Sequence, residues 1–182
     1  MVTLGIIADT HIPDRAHALP PEALDVFRKA RVTAILHAGD VIHASVLAAL
    51  EAIAPTYAVR GNRDWYALRR LPPRRVLQFE GVTIGICHGH GTFLRYLGDK
   101  WAYFRRGAPS FARFARRALA AFPRADVVVF GHTHYPVCRR MGARLLCNPG
   151  SPVVPAFPEV PRAVGLLYVE GGRVWGELRL LS

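Results

Sequence analysis

The chain has 182 residues, 51% hydrophobic and 20% charged, which fits a folded globular chain and argues against disorder. No apolar run reaches the roughly 18 residues needed to span a bilayer, and Asp9 interrupts the N-terminal run with no basic segment before it, so neither a membrane span nor a secretory leader is expected. Basic residues number 24 and acidic residues 13, for a net charge of +11, with lysine only at 29 and 100. So much arginine points to anionic partners (phosphate esters, nucleotides or nucleic acid) or to a solvated arginine-rich surface.

Along the first sixty residues, strand and helix patterns alternate. Val2 to Ala8 is an apolar run, and Pro20-Pro21 open a segment with Ala23, Leu24, Phe27 and Ala30 at helical spacing. Thr33 to Ala38 reads as a second strand, Ser45 to Ile53 as a helix and Thr56 to Val59 as a third strand, a pattern of parallel βαβ units. Arg74 to Phe79 and Val82 to Cys87 flank a turn at Glu80-Gly81, and Asp126 to Phe130 is a further strand. Tyr135 to Arg140 and Arg144 to Cys147 flank Met141-Gly142. Val164 to Val169 and Val174 to Leu180 flank Gly171-Gly172 as a terminal hairpin. No repeat or linker appears, so one domain over 1–182 is expected.

Residues 92–124 carry eight basic residues and one acid, Asp99. Phe93, Leu94, Leu97, Trp101 and Phe104 recur at helical spacing, as do Phe111, Phe114, Ala115, Ala118 and Phe122, with Arg113, Arg116 and Arg117 on the other side. This is either a pair of amphipathic helices packed on a sheet or a basic lid over an anion site; the aromatic run near Trp101, Tyr103 and Phe104 also suits an interface. Cys87, Cys138 and Cys147 form an odd, dispersed set without CxxC, which favours a reducing, cytoplasmic setting.

Five short elements each follow an expected strand: Asp9-Thr10-His11, Gly39-Asp40, Gly61-Asn62-Arg63-Asp64, His88-Gly89-His90 and Gly131-His132-Thr133-His134. In parallel sheets, functional residues gather beyond the carboxyl ends of strands. Carboxylate, imidazole and amide ligands without thiolate suit Mn, Fe, Zn, Ni or Co better than Ca or Mg. His17, His37 and His43 lie outside the pattern and read as ordinary core or surface histidines.

In this series the chain resembles the calcineurin-like metallophosphoesterase superfamily, whose motifs run D-x-H, G-D, G-N-x-(D/E), H and G-H-x-H. Within it, the chain is similar to small bacterial and archaeal phosphodiesterases that carry Asn-Pro-Gly-Ser, here Asn148 to Ser151. The resemblance implies an α/β fold, a four-layer α/β/β/α sandwich of mixed sheets, with a helical insertion around 92–124. It implies two divalent transition-metal ions, Mn first and Zn, Fe, Ni or Co as alternatives. Asp9, His11 and His134 would hold one, Asn62, His88 and His132 the other, and Asp40 both. A water activated between the ions would attack phosphorus in line, in a phosphodiester first, with a small anionic phosphate ester as substrate. Gly39, Gly61 and Gly131 are expected to let the backbone turn sharply beside the ligands.

Arg63 departs from the family pattern, where histidine often follows the asparagine and assists the leaving group. A guanidinium cannot shuttle protons but can clamp a phosphate. Arg63 therefore either binds substrate, leaving His90 or Asp64 to supply a proton, or points to solvent or pairs with Asp64. His90 either lines the substrate pocket, supports a metal ligand or is a structural loop residue. Two other functions share these features: a protein-binding scaffold, a role the family fills in the retromer coat, and a nuclease or nucleic-acid-binding protein.

Overall fold

The computed structural model describes residues 1–64, 68–91 and 111–181. Its β-branched and apolar runs form two five-stranded mixed sheets. The first contains β1 (Val2–Ile7), β2 (Ala34–His37), β3 (Thr56–Ala58), β9 (Arg162–Glu170) and β10 (Arg173–Leu181) in the order β10-β9-β1-β2-β3. β1, β2 and β3 run parallel, as the βαβ pattern requires, and β9 and β10 form the antiparallel terminal hairpin. The second contains β4 (Arg74–Phe79), β5 (Val82–Cys87), β6 (Val127–Val129), β7 (Val137–Met141) and β8 (Arg144–Asn148) in the order β4-β5-β6-β8-β7. Here β5, β6 and β8 are parallel, and β4 and β7 close the edges antiparallel.

Side-chain alternation along the strands builds the layers. Leu4, Ile6, Leu36, Ile84, Ile86, Val127 and Val129 meet between the sheets in one buried core. On the other face of the first sheet, Ile7, Ile35 and Leu166 pack against Phe27 of α1 (Pro21–Lys29) and Val46 and Leu50 of α2 (Ala44–Glu51). Pro21 opens α1, and Glu22 in its first turn and Arg28 and Lys29 in its last match the helix dipole. Phe27 is fully buried, so truncating it to alanine costs about 3–5 kcal/mol. The outer face of the second sheet carries α3 (Phe111–Ala121) through Phe114, Ala115, Ala118 and Leu119. The order is thus helices, sheet, sheet, helix. Among the described residues, no helix is long and apolar enough to cross a membrane.

The amphipathic reading holds for α3, whereas the pattern through Phe93, Trp101 and Phe104 lies outside the described residues. The cysteine reading needs correction. Cys138 and Cys147 sit directly opposite each other in the β7–β8 register and form a disulfide, and only Cys87 is free, and buried. Strand register, which residue spacing does not reveal, brings the two sulfurs together.

Candidate metal centre

β1, β2 and β3 of the first sheet and β5 and β6 of the second each end just before one of the five motif loops. These loops converge. His11 Nε2 lies 3.1 Å from His134 Nε2, and both face Asp9 Oδ1, at 4.0 and 3.6 Å. His88 Nε2 lies 2.9 Å from Asn62 Oδ1 and 3.3 Å from His132 Nδ1. Asp40 sits between the two groups, with Oδ2 at 3.7 Å from His11 Nε2 and Oδ1 at 3.5 Å from His88 Nε2. Asp9 Oδ1 also comes within 3.9 Å of His88 Nε2. All seven candidate ligands are brought together, and Asp9, His11 and His134, like Asp9, Asp40 and His88, are spaced so that they could hold a metal ion.

Local backbone geometry supports a cation site. Asp9, His11, Asp40, His132 and His134 all adopt positive φ, between 48° and 71°. This conformation costs non-glycine residues about 1–2 kcal/mol each, and such strain gathers where function holds it. Asp9 Oδ1 is buried with no hydrogen-bond partner among the described residues, ringed instead by imidazole nitrogens. A carbonyl only accepts, so His88 Nδ1–H donates to Ala38 O at 2.8 Å and His134 Nδ1–H to Val154 O at 2.6 Å. In its neutral form each ring then presents the Nε2 lone pair to the cluster, the tautomer that metal ligation needs. The donors are nitrogen and oxygen with two carboxylates, and this set fits divalent transition ions.

The electrostatics carry the same mark. Burial pushes Asp9 up to about 6 against the pull of His134 and His88. Burial would also raise Asp40, but His88, the Arg63 backbone amide and His11 together hold it well below the usual carboxylate range. Burial lowers His11 and His90 to about 4 and takes His132 well below its ordinary value. His88 overcomes burial and rises to about 9 because Asp40 and Asp9 face it.

Several roles differ from the sequence reading. Arg63 does not pair with Asp64; its guanidinium meets Asp14 at 2.6 Å on the rim of a small cavity lined by His11, Asp40, Asn62, His132 and His134. Its backbone N–H donates to Asp40 Oδ1 at 2.8 Å. Asp64 faces inward. It is 1% exposed, and its carboxylate accepts from the amides of Gly61, Asp40 and Ile42. Of Gly39, Gly61 and Gly131 only Gly39 has positive φ. Gly61 and Gly131 are needed for close approach, since a Cβ on Gly61 would strike the Asp40 carboxylate and one on Gly131 would lie 2.9 Å from Asp9 Oδ2. His90 lies beside His88 and His132, with ring centroids at 5.3 and 6.2 Å, and its buried Nδ1 has no partner among the described residues. His37 is buried, accepting from Gly39 N–H, and His43 caps α2.

Asn148 and Ser151 acquire roles the sequence did not assign. Asn148 Nδ2 donates to Gly131 O and Thr133 Oγ1, and Ser151 Oγ donates to Asp9 O at 2.7 Å. They clamp the loops that carry His132, His134 and Asp9. Their conspicuous Asn-Pro-Gly-Ser run was the available signal, but not its targets.

Comparison with known proteins agrees with this geometry. Residues 2–172 match the calcineurin-like phosphoesterase superfamily domain. A probable metallophosphoesterase of Methanothermobacter thermautotrophicus is 35% identical over 96% of this chain and 90% of its own. One from Methanocaldococcus jannaschii is 36% identical over 85% of this chain and 70% of its own. Among solved structures, a single mutant of Vps29 from Entamoeba histolytica superposes with a TM-score of 0.73 at 20% identity over 100% of both chains; wild-type Vps29 from that organism has been solved with Zn²⁺. At that identity the likeness concerns the fold alone. On the family match and the archaeal relatives, the chain belongs to the calcineurin-like phosphoesterase superfamily.

Proposed function

We propose that the chain is a dinuclear metal-dependent phosphoesterase acting on phosphodiesters. The observation that carries this reading is the Asp40 carboxylate, whose two oxygens face two separate groups of nitrogen and oxygen donors. Asp9, His11 and His134 would hold one ion, Asn62, His88 and His132 the other, and Asp40 both, with Mn²⁺ the first candidate. Bound there, two divalent ions supply Lewis-acid stabilisation of phosphoryl charge and acidify a water for attack.

The chain's own residues orient and exclude. The Arg63 amide and the Asp64 carboxylate fix Asp40 from both ends of the Gly61–Asp64 loop. The Arg63 guanidinium, held at the rim by Asp14, is placed to receive a phosphate oxygen. Burial keeps His90 neutral at pH 7, so protonating a leaving oxygen would require a proton relayed to it through solvent. Without a resident acid, esters with good leaving groups are the favoured substrates.

The test is the metal-stripped protein, with and without Mn²⁺, on an aryl phosphodiester and an aryl phosphomonoester, alongside Asp40→Asn. Metal-dependent diester hydrolysis, lost in the variant, is the expected result. Turnover confined to the monoester would redirect the reading to a phosphatase. The second reading is a protein-binding scaffold of the same fold; absence of turnover with any metal would move the weight there.

A further inference from the structure

A cavity of about 1110 Å³ is distinct from the one lined by most of the candidate ligands. It lies beside them. His88, whose Nε2 contacts Asn62 and His132 of the smaller cavity, also lines the larger one with Cys87, Gly89 and His90. Its walls carry Arg60, Arg74, Arg113, Arg116 and Arg117, and among the described residues no carboxylate. Arg113, Arg116 and Arg117 stand on one face of α3 at i, i+3 and i+4. Arg60 follows β3, and Arg74 opens β4. Arg117 Nη1 donates to the carbonyls of Gly89 and His90, fixing the turn that joins the two cavities.

We propose that this arginine cavity binds a second phosphate of the substrate, so that the substrate class is small esters bearing one phosphate at the metal centre and another some distance away. The inference rests on the phosphoesterase reading and narrows it. Five guanidiniums around one concavity focus a positive field on a compact polyanion, and Arg suits phosphate oxygens through paired donors.

The experiment titrates the Mn²⁺-loaded protein calorimetrically with hexane carrying phosphonates at both ends and with hexylphosphonate. Neither is hydrolysable, so binding is read without turnover. Arg74→Ala/Arg116→Ala removes two exposed arginines of the lining, one on β4 and one on α3. Arg28→Ala/Arg179→Ala removes the same charge from exposed positions paired with Asp25 and Glu177. The expected result is that the bisphosphonate binds about ten-fold or more tightly than the monophosphonate, an advantage lost in the first variant and kept in the second. Equal affinity for the two ligands, or equal loss in both variants, overturns the subsite. A single-stranded oligonucleotide that binds more tightly than the bisphosphonate and displaces it overturns the small-molecule assignment. Failure of Mn²⁺-dependent turnover on an aryl diester would instead strike the phosphoesterase reading, leaving the calorimetric contrast to decide the subsite.

Discussion

Asp64 holds Asp40 by its backbone: Oδ2 accepts from the Asp40 N–H at 3.0 Å and from the Gly61 N–H at 2.7 Å, while Oδ1 accepts from the Ile42 N–H at 2.7 Å. One buried carboxylate thus ties the loop after β2 to the loop after β3, and a residue in the strained left-handed region is kept there. Asp64→Ala leaves three inward-facing amides without an acceptor. The expected cost is about 3 kcal/mol or more, read as a fall in Tm of roughly 6–12 °C. Activity on an aryl phosphodiester falls with it, and Asp64→Asn, retaining one acceptor oxygen, lies between. Wild-type Tm in Asp64→Ala would refute the clamp.

Arg63 and Asp14 form the opposite kind of pair. Both are substantially exposed, at 45% and 35%, so the pair contributes about 0–1 kcal/mol to stability. Arg63→Ala is expected to leave Tm within about 2 °C and to raise KM for an aryl phosphodiester about ten-fold or more through loss of a charged contact. Asp14 acts through Arg63, so Asp14→Ala raises KM less, and the double variant is no worse than Arg63→Ala alone. Additive losses would separate the two roles.

What could and could not be read in the chain follows from how far each interaction reaches. Turn pairs such as Glu80-Gly81 and Gly171-Gly172 act locally, so the β4–β5 and β9–β10 hairpins were legible. That the loops carrying Asp9, His11, Asp40, Asn62, His88, His132 and His134 converge was legible because each motif follows a strand and parallel strands send such loops to one edge; their assignment as ligands came from the family resemblance. Register between strands was not: hence the Cys138–Cys147 disulfide. Nor were contacts between distant loops, such as Arg63 with Asp14 across 49 positions, or Ser151 Oγ with the Asp9 carbonyl across 142. Those depend on which loops converge after folding. The arginines of α3 were legible as a stripe, but the cavity's other arginines, Arg60 and Arg74, come from outside that segment.

Metal binding should appear as stability before it appears as catalysis. Asp9 and Asp40 are buried carboxylates at the centre of the cluster, and ligand binding to the native state alone stabilises by mass action. At one hundred times the dissociation constant the gain is about 2.7 kcal/mol, a rise in Tm of roughly 5–10 °C for a chain this size. The EDTA-treated protein titrated with Mn²⁺ is expected to show that rise, with EDTA reversing it. Asp40→Asn should show at most a small part. An unchanged Tm across the titration would argue that the cluster holds no ion.

The metal-free protein carries a pH signature of opposing signs. Burial holds His11 and His90 down to about 4 and His37 to about 3, and takes His132 well below its ordinary value. For these four, the unfolded chain binds protons that the native chain refuses. Their contribution is present above the unfolded value of 6.5 and is lost as pH falls from 6.5 toward 4. Asp9, raised by burial from 3.8 to about 6, runs the other way: its contribution is present below 3.8 and lost as pH rises through 6. Asp64, also raised by burial, runs with Asp9, while Asp40, held well below the usual carboxylate range, adds to the acid limb; two groups against five do not reverse it. His88, raised to about 9 by Asp40 and Asp9 in spite of burial, stabilises fully below 6.5 and ceases to as pH rises through 9. Melting the EDTA-treated protein across pH should therefore give a dome near neutrality, with an acid limb between about pH 6.5 and 4 steeper than the alkaline limb between about 6.5 and 9. His88→Gln should flatten the alkaline limb and keep the acid one. A Tm that held constant from neutrality to about pH 5 would mean that these imidazoles titrate normally and that the cluster is open to water.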